Sequence, residues 1–279
     1  MSNLKTFLLM GVITFILMFI GHLIGGTTGV YIALIFAGFT NFISYWYSDK
    51  IVLSMYNAKP VNENSDVYRI VKNLTERASL PMPKVYIINE SQPNAFATGR
   101  NPNNAAVAVT TGLLNILDDN ELAGVIGHEL GHVKHRDILI GTVAATLAAS
   151  IAFLSNMAKW AAIFGGNRDR DDEGGSPLAL IGVAIFAPIA AMLVQMCISR
   201  TREYKADAFG GQICGNPMYL ANALRKLEQG VKYNSMDVNP ATENMFIISP
   251  LYGDKLASLF STHPSTKDRI AKLEAMARR

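Results

Sequence analysis

Cysteine is nearly missing from this chain: Cys197 and Cys214 are the only two in 279 residues. So few argue against a disulfide-stapled fold and against a cysteine-rich zinc knuckle. Both are read as reduced, unpaired thiols. Charge is scarce as well. Lysine, arginine, aspartate and glutamate make up 17% of the residues, against about a quarter in an ordinary soluble domain, so part of the chain is expected in lipid. The net charge of +3 is small, and no basic stripe is interleaved with aromatics, so nucleic acid is not expected as a partner. Internal repeats and low-complexity tracts are also lacking.

What is present in excess is apolar sequence, in two pairs of runs. The first run, residues 6–26, matches the ~20 residues that span a bilayer core. It has no small-residue cleavage site, and a second run follows at once through "GGTTG", so an uncleaved anchor is expected and not a signal peptide. The second run ends in Tyr45, Trp46 and Tyr47, an interfacial aromatic belt just before Asp49 and Lys50. His22 stands alone near the end of the first run and is read as an interfacial residue. The later pair, residues 138–164 and 178–198, flanks the acidic turn "GGNRDRDDEGGSP". These runs carry Ser155, Asn156, Lys159, Pro188 and Gln195, so a hairpin lying at the interface is the alternative to two spans.

Between and after these runs the composition is that of a soluble domain. Helical periodicity predicts a helix over residues 66–79, stopped by the prolines of "LPMP". "KVYIINE" reads as a strand, and "NAFATGRNPNNAAVAVTT" as two short strands joined by a turn. Asp118 or Asp119 can cap the next helix, "NELAGVIGHELGHVKHRD", and further helices are predicted in "YLANALRKLEQG" and "KDRIAKLEAMARR". The expected architecture is α+β and predominantly helical, divided as 1–48, 49–137, 138–198 and 199–279. The first segment holds two anchoring spans and the third a hydrophobic hairpin, with a small sheet in the domain that the second and fourth share.

One predicted helix carries "GHELGHVKHRD". On a helix, residues four apart lie on one face, so His128 and His132 project side by side, as two imidazole ligands of one zinc must. Glu129 leaves at an adjacent angle, where it can reach a water without binding the ion. A catalytic zinc needs three protein ligands and an open position. The pattern with a third histidine after H-E-x-x-H-x-x-G fails here, because His135 and Ile138 occupy the glycine and histidine positions. His135 is read as a surface residue. "SRTREYKADAFG" offers Glu203 and Asp207, also four apart. One carboxylate could ligate the metal and the other accept the free N–H of a ligating histidine.

Taken in order, the paired N-terminal runs, "PNAFATG", "HELGHVKHRD", the second apolar pair, "SRTREYKAD" and "STHPSTKDRI" give a resemblance that covers essentially the whole chain. It is similar to the HtpX-type membrane-bound zinc metalloproteases, gluzincin-type relatives of the CAAX prenyl proteases. The resemblance implies His128, His132 and Glu203 as ligands of one Zn2+ and Glu129 as general base. It implies Asp137 and Asp207 as supporting residues, and Asn94, Ala95, Phe96 and Ala97 as an edge strand that aligns substrate. His263 matches a family histidine near the active site. Cleavage of damaged or misfolded membrane proteins is the implied work, with polypeptides and the lipid bilayer as partners. Lys50, Lys59, Lys134, Arg136, Arg200 and Arg202 flank the runs on the domain side, so the positive-inside rule predicts a multi-pass protein of the inner (plasma) membrane whose catalytic domain faces the cytoplasm. Three other classes of protein differ in sequence or in chemistry. A zinc transporter would carry its ligands inside the spans, and an intramembrane protease would have its motif within an apolar run. A catalytically silent zinc-binding chaperone or adaptor would share the ligands without the chemistry.

Overall fold

The computed structural model describes residues 2–143, 200–233, 246–247 and 264–278. Helix α1 (Ser2–Met55) is two helices joined at a kink, where Gly25 and Gly26 leave helical space. Gly26 sits at φ +56°, a backbone state that costs glycine nothing. The two arms fold back on each other. The rings of Phe7 and Tyr45 stack 6.3 Å apart, and Asn41 Nδ2 donates to Thr14 Oγ1 at 2.9 Å, the kind of side-chain bond that holds helices together in lipid. Phe15, Ile35 and Phe39 stand outward and exposed. Among the described residues one helical segment, Gly25–Tyr47, is long and apolar enough to cross a membrane, and the first arm supplies a shorter apolar helix, Thr6–Phe19.

The second arm runs past the aromatic belt into the globular part. Strands β1 (Lys59–Pro60), β2 (Lys84–Ile88), β3 (Ala95–Gly99) and β4 (Ala105–Thr110) form one sheet in the order β1-β2-β4-β3. β2 and β4 run parallel, and β3 pairs antiparallel with β4 at the edge. The 3-10 turn Pro102–Asn104 closes the β3–β4 hairpin. β4 is buried along its whole length, and its period-2 alternation sorts its side chains between two cores. Val107 and Val109 face helices α2 (Asp66–Ala78), α4 (Asp119–Lys134) and α6 (Pro217–Tyr233). Ala106 and Ala108 face Val52 and Leu53 at the end of α1. The helical hairpin of α1 is thereby built into the domain and is not merely tethered to it.

Helix α2 starts on Ser65, whose side chain accepts from Tyr68 N, and stops with Ser79 left-handed just before "LPMP". A short helix, α3 (Thr111–Ile116), follows β4 directly. α4 begins with a reciprocal capping box between Asp118 and Glu121, which satisfies two otherwise unpaired N–H groups. It ends at Lys134, because Arg136 turns to φ +59°. Helix then resumes over residues 138–143. There Leu139, Ile140 and Val143 pack on Leu9, Met10 and Ile13 of α1. The rest of the second apolar pair lies outside the described residues. Helices α5 (Arg200–Ile213) and α7 (Thr266–Ala277) complete the described fold.

Candidate metal centre and active site

α4 and α5 cross unusually close, and small residues permit it. A Cβ added at Gly131 would lie 2.8 Å from Ala206 Cα, and one added at Gly210 would lie 2.6 Å from His128 N. This approach brings Glu203 to the two histidines. Glu203 Oε2 is 3.6 Å from His128 Nε2, Glu203 Oε1 is 3.5 Å from His132 Nε2, and the two Nε2 atoms are 3.2 Å apart. The three potential ligand atoms lie within 4.8 Å of one another. Two imidazoles and a carboxylate, converging in this way, make a donor set that suits zinc.

Each histidine has its other nitrogen turned to a carboxylate. His128 Nδ1 is 2.8 Å from Asp207 Oδ1, and His132 Nδ1 is 3.8 Å from Asp137 Oδ2. Each carboxylate in turn meets an arginine. Arg202 Nη1 lies 3.2 Å from Asp137 Oδ1. Arg269 grips Asp207 through two bonds, Nε to Oδ2 at 2.9 Å and Nη2 to Oδ1 at 2.7 Å. Sequence reasoning missed Arg269. The available signal was a lone arginine four residues before Leu273 on the apolar face of the last helix; both side chains are 1% exposed.

Burial and charge act against each other across this cluster. Burial alone would lower the His132 pKa, but the carboxylates of Glu203, Asp137 and Glu129 outweigh it and hold it at about 9. Burial would raise Asp207, but the Arg269 guanidinium wins and keeps it below the usual carboxylate range. Glu129 goes the other way. Burial raises its pKa, against the pull of His128 and His132. Glu129 Oε2 accepts the Ala97 N–H at 2.8 Å, which ties the edge strand β3 to the candidate base.

A small cleft opens over these groups, lined by Phe96, Ala97, Glu129, Ile138, Gly141 and Phe246, among others. Phe96 and Ala97 of the edge strand thus border the cleft. Asn94 and Ala95 are buried beside it, 3% and 1% exposed. The Asn94 side chain accepts the Ile247 N–H at 3.2 Å, so it braces the cleft from behind. His135 is exposed and packs edge-on to Phe209, away from the ligand cluster. His22 is exposed too, and Cys214 is a free, buried thiol. His263 and Cys197 lie outside the described residues.

Known proteins supply the remaining comparison. The model of Peptidase family M48 matches residues 61–277. The Protease HtpX homolog of Desulforapulum autotrophicum is 56% identical over 275 residues, covering 98% of this chain and 89% of that protein. Protease HtpX of Legionella pneumophila (strain Lens) is 54% identical over 278 residues, 99% of either chain. Among solved structures, the crystal structure of S. mikatae Ste24p superposes with a TM-score of 0.53 at 18% identity. It covers 94% of this chain, which spans 62% of Ste24p. That likeness bears on the fold.

Proposed function

Since the chain belongs to peptidase family M48, and is by that membership a metalloprotease, we propose that it is a multi-pass zinc endopeptidase which cleaves damaged or misfolded membrane proteins. The observation that carries the reading is the convergence of His128, His132 and Glu203, with Glu129 beside them on the cleft. His128, His132 and Glu203 would hold one Zn2+. Bound there, zinc supplies Lewis acidity that acidifies water and polarises the scissile carbonyl.

The chain's own residues do the rest. Asp207 accepts the Nδ1–H of His128, fixing its tautomer with Nε2 toward the ligand cluster, and the Asp137 carboxylate faces Nδ1 of His132 at 3.8 Å, favouring the same tautomer there. Glu129 takes the proton of the attacking water on a carboxylate oxygen and hands it to the departing amine nitrogen. Burial suits it to both steps, because a carboxyl with a raised pKa holds the proton long enough to deliver it. The edge position of β3 lets an extended polypeptide add as a further strand through backbone bonds, which favours many sequences over one.

The membrane part keeps this cleft near the bilayer. Arg100, one residue past β3, places its guanidinium 4.3 Å from the Trp46 ring centre. The cleft wall at 138–143 leans on α1. With the cationic residues flanking the apolar runs on the domain side, the catalytic domain faces the cytoplasm, where it meets membrane substrates at high local concentration.

Glu129→Gln tests the chemistry. The variant should bind zinc as the parent does while losing nearly all cleavage of an unfolded membrane protein. A variant that keeps full activity at equal zinc content would remove Glu129 from the role.

A further inference from the structure

On the second arm of α1 a stripe of outward rings ends in charge. Phe39, Phe42, Trp46 and Lys50 follow one another at three- and four-residue steps, so they share one face of the helix. All four are exposed, and the rings of Phe42 and Trp46 lie 6.3 Å apart. From Phe39 to Lys50 the helix rises about 16 Å at ~1.5 Å per residue, the depth of one leaflet of a ~30 Å hydrocarbon core. A second cation reaches the charged end from the sheet. The Arg100 guanidinium lies over the Trp46 ring, 4.3 Å from its centre, and Lys50 Nζ stands 5.3 Å from the centre of the Tyr47 ring.

Arg100 is held there by a stiff turn. Gly99 before it takes φ +128°, where an added Cβ would run into the Asn104 carbonyl oxygen. Asn101 after it accepts the Asn104 N–H on its side chain at 3.0 Å. Among the described residues, the side chains of Arg100 and Lys50 form no hydrogen bond or ion pair, with Asp49 or with any other group. Their N–H donors are therefore open to an acceptor from outside the chain. We propose that this corner of the molecule binds an anionic phospholipid. Its headgroup phosphate meets Arg100 and Lys50, and an acyl chain runs along Trp46, Phe42 and Phe39. The proposal rests on the membrane placement in the reading above and names the class of lipid that this placement selects.

Chemistry sets the choice of partner. The ring beneath the Arg100 guanidinium fixes its plane and leaves its edge free, and that edge presents N–H groups in a fork that matches phosphate oxygens. A small soluble anion would satisfy the cations and leave the rings below them bare. An amphiphile covers both. A zwitterionic lipid also carries a phosphate, but its own cation offsets it, whereas two unpaired cations at a bilayer surface attract a lipid with net negative charge. The site bears on the cleft through the chain itself. Arg100 follows β3 directly, and Phe96 and Ala97 of that strand border the cleft, so a lipid held here keeps the edge strand at the bilayer surface.

The test uses fluorescence. Trp46 and Trp160 are the only tryptophans, so in a Trp160→Phe parent the emission reports the lipid around Trp46. The full-length protein is placed in phosphatidylcholine bilayers in which a fixed fraction of lipid carries brominated, quenching acyl chains. That fraction is either phosphatidylglycerol or phosphatidylcholine itself. Brominated phosphatidylglycerol should quench as though enriched about 5-fold or more over its bulk fraction, the factor expected from about one cation's attraction at the surface. Arg100→Gln combined with Lys50→Gln should reduce it to the quenching of brominated phosphatidylcholine. Each single substitution should lose part of the preference, which carries the test if the double variant fails to accumulate. Inorganic phosphate added at constant ionic strength should leave the enrichment in place. Equal quenching by the two lipids in the parent, enrichment that outlasts both cations, or its abolition by inorganic phosphate overturns the site. Peptide cleavage by the same protein in detergent is read separately. A parent that shows the enrichment, binds zinc and cleaves nothing overturns the peptidase reading and leaves the lipid site standing.

Discussion

At the residue scale the centre is a chain of charges linked in pairs: arginine to carboxylate to histidine, twice. The two links are unequal. Asp207 is 2.8 Å from His128 Nδ1 and doubly held by Arg269, whereas Asp137 stands 3.8 Å from His132. Glu203→Ala should abolish stoichiometric zinc binding, and Asp207→Ala should weaken it by about 10–100-fold, as loss of a histidine's outer partner does. Equilibrium titration against a competing chelator measures both, and unchanged zinc content in Glu203→Ala would move the third ligand elsewhere. Protons compete for the same nitrogens. The His132 pKa is raised above its usual value to about 9 in the metal-free protein. Its protonation therefore stabilises that form fully below the unfolded pKa of ~6.5 and ceases to as pH rises through about 9. Zinc needs the neutral ring, so apparent zinc affinity should climb with pH between those limits.

At the element scale the centre depends on how closely α4 and α5 can approach. Gly131→Leu would drive a branched side chain into Ala206, where even a bare Cβ comes within 2.8 Å of the Cα. Overpacking of this kind costs about 1–3 kcal/mol. It should also part Glu203 from the histidines, so the variant should show both a lower unfolding midpoint and weaker zinc binding. A midpoint that falls with zinc affinity intact would show that the helix separation does not govern the site. Much at this scale was readable in the sequence. The H-E-x-x-H spacing sets His128 and His132 side by side on one helical face with Glu129 at an adjacent angle, and Asp118, one of the two candidate caps in the sequence, does begin that helix. The two short strands joined by a turn in "NAFATGRNPNNAAVAVTT" are β3 and β4. What could not be read is which distant segments meet. No local pattern says that Arg269 reaches Asp207, or that Ile247 is braced by Asn94, because those contacts are set by how α4, α5 and α7 pack together. Asn94 shows the limit well: no local pattern says that its side chain is buried and accepts the Ile247 N–H.

At the scale of the whole molecule, the α1 hairpin and the globular domain share a core. Val52 and Leu53 continue α1 into the sheet, and Ile140 belongs at once to the cleft and to the packing against α1. The proposed topology puts the Gly25–Gly26 turn on the side of the membrane opposite the domain. With Cys197 and Cys214 replaced, a cysteine at Thr28 should react with a membrane-impermeant thiol reagent in intact cells. One at Glu63 should react only after lysis, and the reverse pattern would invert the orientation. The central claim, that this membrane-built cleft is a one-zinc peptidase, is tested most directly by titration. Full-length protein is stripped with a chelator, returned to lipid bilayers and supplied with zinc in steps, while bound metal and cleavage of an unfolded membrane protein are measured together. Cleavage should be absent without metal, rise in proportion to bound zinc and stop rising at about one ion per chain. Cleavage that survives complete removal of the metal, or that never appears at full occupancy, would contradict the account.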